Sequence, residues 1–202
     1  SPQAVKAGIT ALLIRGERGD LDGVVSGVRS LLARAAGTTP PDHPERLIAI
    51  TDAAVYLIDH ARAADAGPWV DEVVAARRAL PGGDNLLLAT ALLLQADCRL
   101  AAGRPGDAEI AAREALAIRE KRLPPTHWGR HVAASTLGGC LAGRGRFADA
   151  EPLLTQSYQA LRENADVPFL RAREAHARVL KMYTDWGRPS EAAKWGDPPL
   201  ER

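Results

Sequence analysis

The stretch Leu137-Gly-Gly-Cys-Leu-Ala-Gly-Arg-Gly-Arg-Phe-Ala-Asp-Ala150 reads as a helix end, a tight turn and the start of a second helix. Leu137 and Leu141 lie four apart and share one helical face. Gly138, beside them, has no side chain and lets another helix come close. Gly145 follows the apolar run and suits the residue just past a helix end, where φ is usually positive. Phe147 and Ala150 then open a new apolar face. The unit is a helical hairpin, and the rest of the chain repeats it.

Steps of 42 residues from Gly145 reach Gly187 downstream and Gly103, Ala61 and Gly19 upstream, with no insertion. The position five after each mark is Val24, Ala66, Ala108, Ala150 and Ala192, small every time. The position five before is Ile14, Tyr56, Cys98, Cys140 and Met182, apolar or weakly polar. Between hairpins, Pro40-Pro41-Asp42-His43 recurs 84 residues on as Pro124-Pro125-Thr126-His127, and the intermediate junction reads Gly82-Gly83-Asp84-Asn85. Self-similarity at such a period marks a solenoid. The expected architecture is all-α, with about five antiparallel hairpins and essentially no strand. It is read as one domain over residues 1–202, with repeats of about 1–39, 40–81, 82–123, 124–165 and a truncated 166–202.

The helix bounds follow from breakers and periodicity. Helices are expected over about Pro2–Arg18 and after Gly19, from Pro44 after His43, and over about Gly67–Leu80. Further helices run from an Asp84 cap to Ala102 and through Ala108–Ile118. The last two hairpins cover about Trp128–Ala142 with Phe147–Glu163, and Pro168 to near Trp186 with a short helix from Pro189 that stops at Gly196-Asp-Pro-Pro199.

Leu137-Gly138, Gly145, Phe147 and Ala150 resemble the tetratricopeptide repeat (TPR) pattern of Leu-Gly, Gly, aromatic and Ala. The longer period, with Asp42-His43-Pro44 between repeats, resembles the kinesin-light-chain-like class. Leu180 to Trp195 resembles the end of TPR regions that follow the kinase domain in many bacterial serine/threonine kinases. The resemblance implies a right-handed superhelix with a concave face lined mainly by the first helix of each hairpin, the A helix. It places the positions ten and six before each mark on that face: Ile9, Thr51, Leu93, Ser135 and Ala177, then Leu13, Val55, Asp97, Gly139 and Lys181. The partner-binding candidates are Thr51, Val55, Leu93, Asp97, Ser135, Gly139 and Lys181. They lack the paired Lys/Asn pattern that grips a peptide C-terminus in chaperone-binding TPRs.

Composition agrees with an interaction module. The 202 residues carry a net charge of +1, with 25% charged and 4% aromatic residues. Near-neutral charge argues against a nucleic-acid binder, which needs a basic face. No stretch has the apolar length of a membrane span. Cys98 and Cys140 occupy one buried-type position of successive repeats and read as small core residues, so a cytoplasmic setting is permitted. No signal-peptide pattern is visible, and the Ser1-Pro2 start carries the expectation of further sequence upstream.

Chemistry is sparse. Gly143-Arg-Gly145 lacks the third glycine of a dinucleotide loop, because position 148 is Ala148 and no strand precedes it. His127 and His131 could share a metal on one helix face, but His127 matches His43, which has no such companion and reads as a corner residue. Glu163 with Asp166 reads as a solvated pair. Arg113, Arg119, Lys121 and Arg122 read as a solvated face favoured by a helix C-terminus. Neither His-Arg-Asp nor Asp-Phe-Gly is present, so the chain carries no kinase motif. No cofactor or catalytic residue is expected. The functional expectation is a non-enzymatic scaffold that binds a protein or peptide, with self-association possible. Such a scaffold suits a regulatory region of a larger bacterial signalling protein. The alternative is a TPR-framed sensor of a small ligand or signalling peptide.

Overall fold

The computed structural model describes residues 1–80 and 85–196. Ten helices and no strand occur among them: α1 (Pro2–Gly16), α2 (Leu21–Ala35), α3 (Pro44–Asp59), α4 (Ala63–Ala79), α5 (Leu86–Ala101), α6 (Pro105–Arg122), α7 (Trp128–Gly143), α8 (Phe147–Glu163), α9 (Phe169–Asp185) and α10 (Pro189–Ala193). The all-α expectation holds. Contacts divide the chain into two compact units, residues 1–102 and residues 103 onward.

Every mark stops its helix by the same backbone device. Gly19, Ala61, Gly103, Gly145 and Gly187 all have positive φ, between 59° and 91°. At Gly145 the turn is closed twice. Its own N–H donates to the Ala142 carbonyl at 2.9 Å, and the next N–H, of Arg146, reaches back to the Leu141 carbonyl at 3.0 Å. The same backward bond joins Arg62 to Leu57 at 2.7 Å and Arg188 to Tyr183 at 2.9 Å. Carbonyls left over at a helix end are thereby satisfied.

Helix starts repeat as well. Arg62, Arg104 and Arg146 each stand just before a second, or B, helix and pair with an acid three residues on: Asp65 at 2.5 Å, Asp107 at 2.6 Å and Asp149 at 2.7 Å. Gly23 stands where the acid of the first hairpin would be. There Asp20 caps α2 instead, its carboxylate accepting from the Gly23 N–H at 2.9 Å. His43 and His127 are N-caps whose Nδ1 accepts from the N–H two residues on, at 3.3 and 3.0 Å. The corner role read for both is the one observed. Asn85 caps α5 through the Leu88 N–H at 2.8 Å; the expected cap, Asp84, and the Pro81–Gly83 break lie outside the described residues.

One boundary differs from expectation. The fourth helix begins at Ala63, not near Gly67, and Pro68 lies inside it. Proline favours the first helical turn, which places the expected start too late. At the sixth position it forfeits only the bond to the Ala64 carbonyl, close to the helix start, and the helix survives. Pro152 occupies the same register in α8.

In the first unit α1 packs on α2 and α3, α3 on α4 and α5, and α4 on α5. Val24 and Ala66 are fully buried at the small-residue register, over a core that includes Ile9, Leu47, Ile50, Leu57 and Val70. Ile14 departs from the register and is exposed. In the second unit α7 packs on α6, α8 and α9, and α8 on α9. Ala108 and Ala150 are fully buried, and a Cβ on Gly138 would stand 2.7 Å from Leu154 Cγ. Gly138 is thus the close-approach point that its place in the sequence implied. The short α10 packs on α9, where Trp195 and His176 close around Tyr158.

Candidate functional site

In the first unit, Ile48, Thr51 and Asp52 of α3 face Leu87, Thr90 and Ala91 of α5 across a shallow hollow of about 100 Å³. The spacing of three and four puts each set on one helix face. Val73 and Arg77 of α4 line the same hollow. Its rim is apolar and open, with Ile48 44% and Leu87 57% exposed. Thr51 and Thr90 turn their hydroxyls back onto their own helices, donating to Leu47 and Leu86 carbonyls at 2.7 and 3.0 Å. Partial burial pushes the Asp52 carboxyl above the usual carboxylate range, and Lys6 of α1 opposes that shift. Burial pushes the Arg77 guanidinium down.

Of the residues the repeat register selected, Thr51 is part of this hollow. Val55 and Asp97 are half-buried. Leu93 is buried within the first unit's packing. In the second unit Ser135 is wholly buried, and its Oγ has no hydrogen-bond partner among the described residues. Leu93 and Ser135 therefore offer no open surface, whereas Thr51 and Ala177, at the same register position, each reach a hollow. Gly139 is half-buried, and a Cβ there would stand 3.2 Å from Arg178 Cδ. Lys181 is exposed and pairs with Asp185 at 3.0 Å.

Two polar features escaped the sequence reading. Glu109 of α6 is 4% exposed and is held by three arginines: Arg113 on its own helix, Arg144, and Arg146 at 3.3 Å. These partners stand 35 and 37 residues away or one helical turn on, and only folding assembles them. The second feature is a correction. Arg119 is not part of a solvated face. It is 9% exposed and donates to the Gly129 carbonyl at 2.6 Å, and burial, with Arg171 adding to the effect, lowers its pKa to about 10. Lys121 and Arg122 are exposed, as read.

Two larger hollows lie in the second unit. One of about 310 Å³ is lined by Gln159, Arg162, Tyr183, Glu191, Lys194 and Trp195. The other, of about 350 Å³, runs along α9 past Leu170, His176, Ala177 and Leu180. Among the described residues, no group of three or more His, Cys, Asp and Glu side chains is placed to hold a metal ion. The Nδ1 of His127 is already taken by the Gly129 N–H. Cys98 and Cys140 are buried, and burial raises the Cys98 thiol to about 12. No described helix is long and apolar enough to cross a membrane.

The tetratricopeptide repeat family matches residues 46–121. No curated protein matches the chain. Among solved structures, a Podosopora anserina kinesin-light-chain-type protein with nearly identical TPR-like repeats is 19% identical with a TM-score of 0.70, over 96% of this chain and 92% of that one. BtubC (BKLC) from P. vanneervenii is 16% identical with a TM-score of 0.67, over 100% of this chain and 87% of the other. Aspartyl phosphate phosphatase F of Bacillus subtilis is 12% identical with a TM-score of 0.59, over 85% of this chain and 42% of that one. At these identities the likeness is one of fold. The TPR resemblance read from the sequence, kinesin-light-chain-like type included, is borne out, and the fold class is that of the TPR solenoids. The likeness to kinase-linked repeats is not shown by the family match or by the structures named here.

Proposed function

We propose, from tetratricopeptide repeats as the premise, that the chain is one interaction array over residues 1–202 that seats a polypeptide on its A-helix faces and catalyses no reaction. TPR folds generally serve as protein–protein interaction scaffolds. The observation that carries the reading is the open hollow between α3 and α5, where two successive A helices present Ile48, Thr51, Leu87 and Thr90 side by side. An exposed apolar rim beside polar groups suits an extended or helical peptide. Of the register set, Thr51, Val55, Asp97, Gly139 and Lys181 are retained as contacts, and Leu93 and Ser135 as the packing beneath them.

The groups with strongly perturbed pKa support a non-enzymatic part. Cys98, at about 12, is no nucleophile at neutral pH, and Arg119 is spent on a backbone carbonyl. In this reading the array is a regulatory region of a larger bacterial signalling protein, in the cytoplasm. A second reading, a sensor of a small ligand, draws on the polar hollow of about 310 Å³ beside α10. It is weaker, because Lys194 there is already paired with Glu191 at 2.7 Å.

The test is capture of partners from source-cell lysate by the parent, Thr51→Arg, Leu87→Glu and Ile110→Glu. Ile110 is an exposed residue of α6, a B helix. A partner lost with the first two variants and kept with the third is the expected result. A partner kept by the first two and lost with Ile110→Glu places the site elsewhere. Turnover of any substrate by the recombinant chain from an unrelated host ends the non-enzymatic reading.

A further inference from the structure

Arg77 lines the hollow of the first unit, is 8% exposed, and has no hydrogen-bond or ion-pair partner among the described residues. A guanidinium carries five N–H donors and stays charged at neutral pH. The residue is largely covered, yet its guanidinium nitrogens keep contact with solvent in the hollow, so water meets them there. Arg77 sits in the last turn of α4, where the helix dipole favours a cation. A dipole favours the charge but accepts no hydrogen bond.

The chain itself supplies the comparison. One period on, the register equivalent of Arg77 is Arg119, whose guanidinium lies deeper and is lowered further by burial. Arg119 is satisfied by the carbonyl of Gly129, the second residue of α7. The register equivalent of Gly129 is Leu87, the second residue of α5. Leu87 makes no such bond to Arg77, and a hollow stands there instead. The same side chain is therefore internally bonded in one repeat and left with an open acceptor position in the other.

We propose that this hollow is a carboxylate-binding subsite with Arg77 as its charge, filled by an acidic side chain of a polypeptide whose apolar neighbours rest on Ile48 and Leu87. Asp52 lies on the same wall, and no ion pair joins it to Arg77 among the described residues. Size favours a side chain over a free metabolite. The hollow holds about 100 Å³, whereas sites that enclose a whole small molecule usually span about 300–1,000 Å³. The exposed rim gives the flanking residues of a peptide an apolar seat. The assignment of the carboxylate to a peptide rests on the interaction function proposed above; the subsite does not.

The experiment has two arms, each run on the full chain and on Arg77→Met, a substitution that removes the charge and keeps the length. In the first, a random dodecapeptide library is selected against each protein, and each selected peptide is remade with Gln for every Glu and Asn for every Asp. In the second, thermal unfolding is followed with sodium glutarate against sodium chloride at equal ionic strength. The parent is expected to select acidic peptides and to bind the neutral twins about tenfold more weakly, as for loss of a charge-assisted hydrogen bond. Arg77→Met is expected to bind twins within about twofold and to lose the acidic preference. Peptides selected without acidic enrichment, or a preference that survives in Arg77→Met, overturn the subsite and leave the interaction function standing. Stabilisation of the parent alone by glutarate, with no peptide selected, keeps the subsite and overturns its peptide source. No selection and no glutarate effect overturn both.

Discussion

The left-handed joint at each mark gives a test in which nothing but backbone changes. A methyl group at position 145 would meet no atom within 4 Å, so Gly145→Ala adds no clash. Its φ of 74° remains a conformation that L-residues resist. Holding alanine there costs roughly 1–2 kcal/mol. Removing glycine from the unfolded chain returns about 0.4–1 kcal/mol. The net loss is about 0.8 kcal/mol at the middle of those ranges, or about 2–3 °C in melting temperature for a chain of this length. Ala61 is the natural counterpart, an alanine already held at φ 59°. Ala61→Gly relieves the same strain and should raise the melting temperature by a similar amount. The assay is thermal and urea unfolding followed by circular dichroism. Midpoints are compared rather than one fitted free energy, because two compact units share the chain. Opposite signs for the two substitutions are expected. If alanine at 145 is neutral while glycine at 61 lowers the midpoint, as glycine does inside a helix, the joint does not set where these helices stop.

Three further outcomes follow from packing and charge. Ala150→Leu places a larger side chain at a fully buried crossing and should cost about 1–3 kcal/mol by urea titration; an unchanged midpoint would mean that the 42-residue register is wrong. Glu109→Gln removes the anion shared by three arginines. Because Arg113, Arg144 and Arg146 are 42–50% exposed and can turn to water, the expected loss is about 1–3 kcal/mol, below the roughly 3–5 kcal/mol of a fully buried broken pair. For Cys98, burial raises the folded pKa from 9.0 to about 12, so the folded state keeps its proton after the unfolded state has lost it. The associated stability is complete below pH 9 and falls as pH rises toward 12, and Cys98→Ala should make the alkaline fall in urea midpoint shallower. Tyr183, raised to about 12 by burial and by its bond to Glu151, pulls in the same direction above pH 10 and remains in the variant as an internal reference.

The features legible in the sequence were those enforced by the backbone or by contact between neighbouring turns. Gly145 and its equivalents announce a left-handed joint because few other residues accept one, and Ala150 and Gly138 announce close helix crossings because they are small. His43 and His127 were readable as corners from their shared register. What stayed hidden depends on neighbours distant in sequence. Glu109 meets Arg144 and Arg146 only after α6 and α7 pack, and Arg119 looks like a solvent-facing cation until Gly129 arrives beside it. The register put Leu93 and Ser135 on the A-helix face, but it carries no information on how deep that face lies. Arg77 was passed over for the same reason: its missing acceptor is a property of Leu87 and the hollow, and no local pattern records it.

The joints also make chain length an editable quantity. Gly103 and Gly145 share a left-handed φ, and each is followed by an arginine paired to an aspartate three residues on. A deletion of residues 104–145 rejoins Gly103 to Arg146, and the new seam has the same residues at the same spacing as the two it replaces. Duplicating that segment makes the same seam again. Hairpins in this chain are therefore interchangeable at the level of the backbone, and the count of them is set by splicing at glycines rather than by redesign of any core.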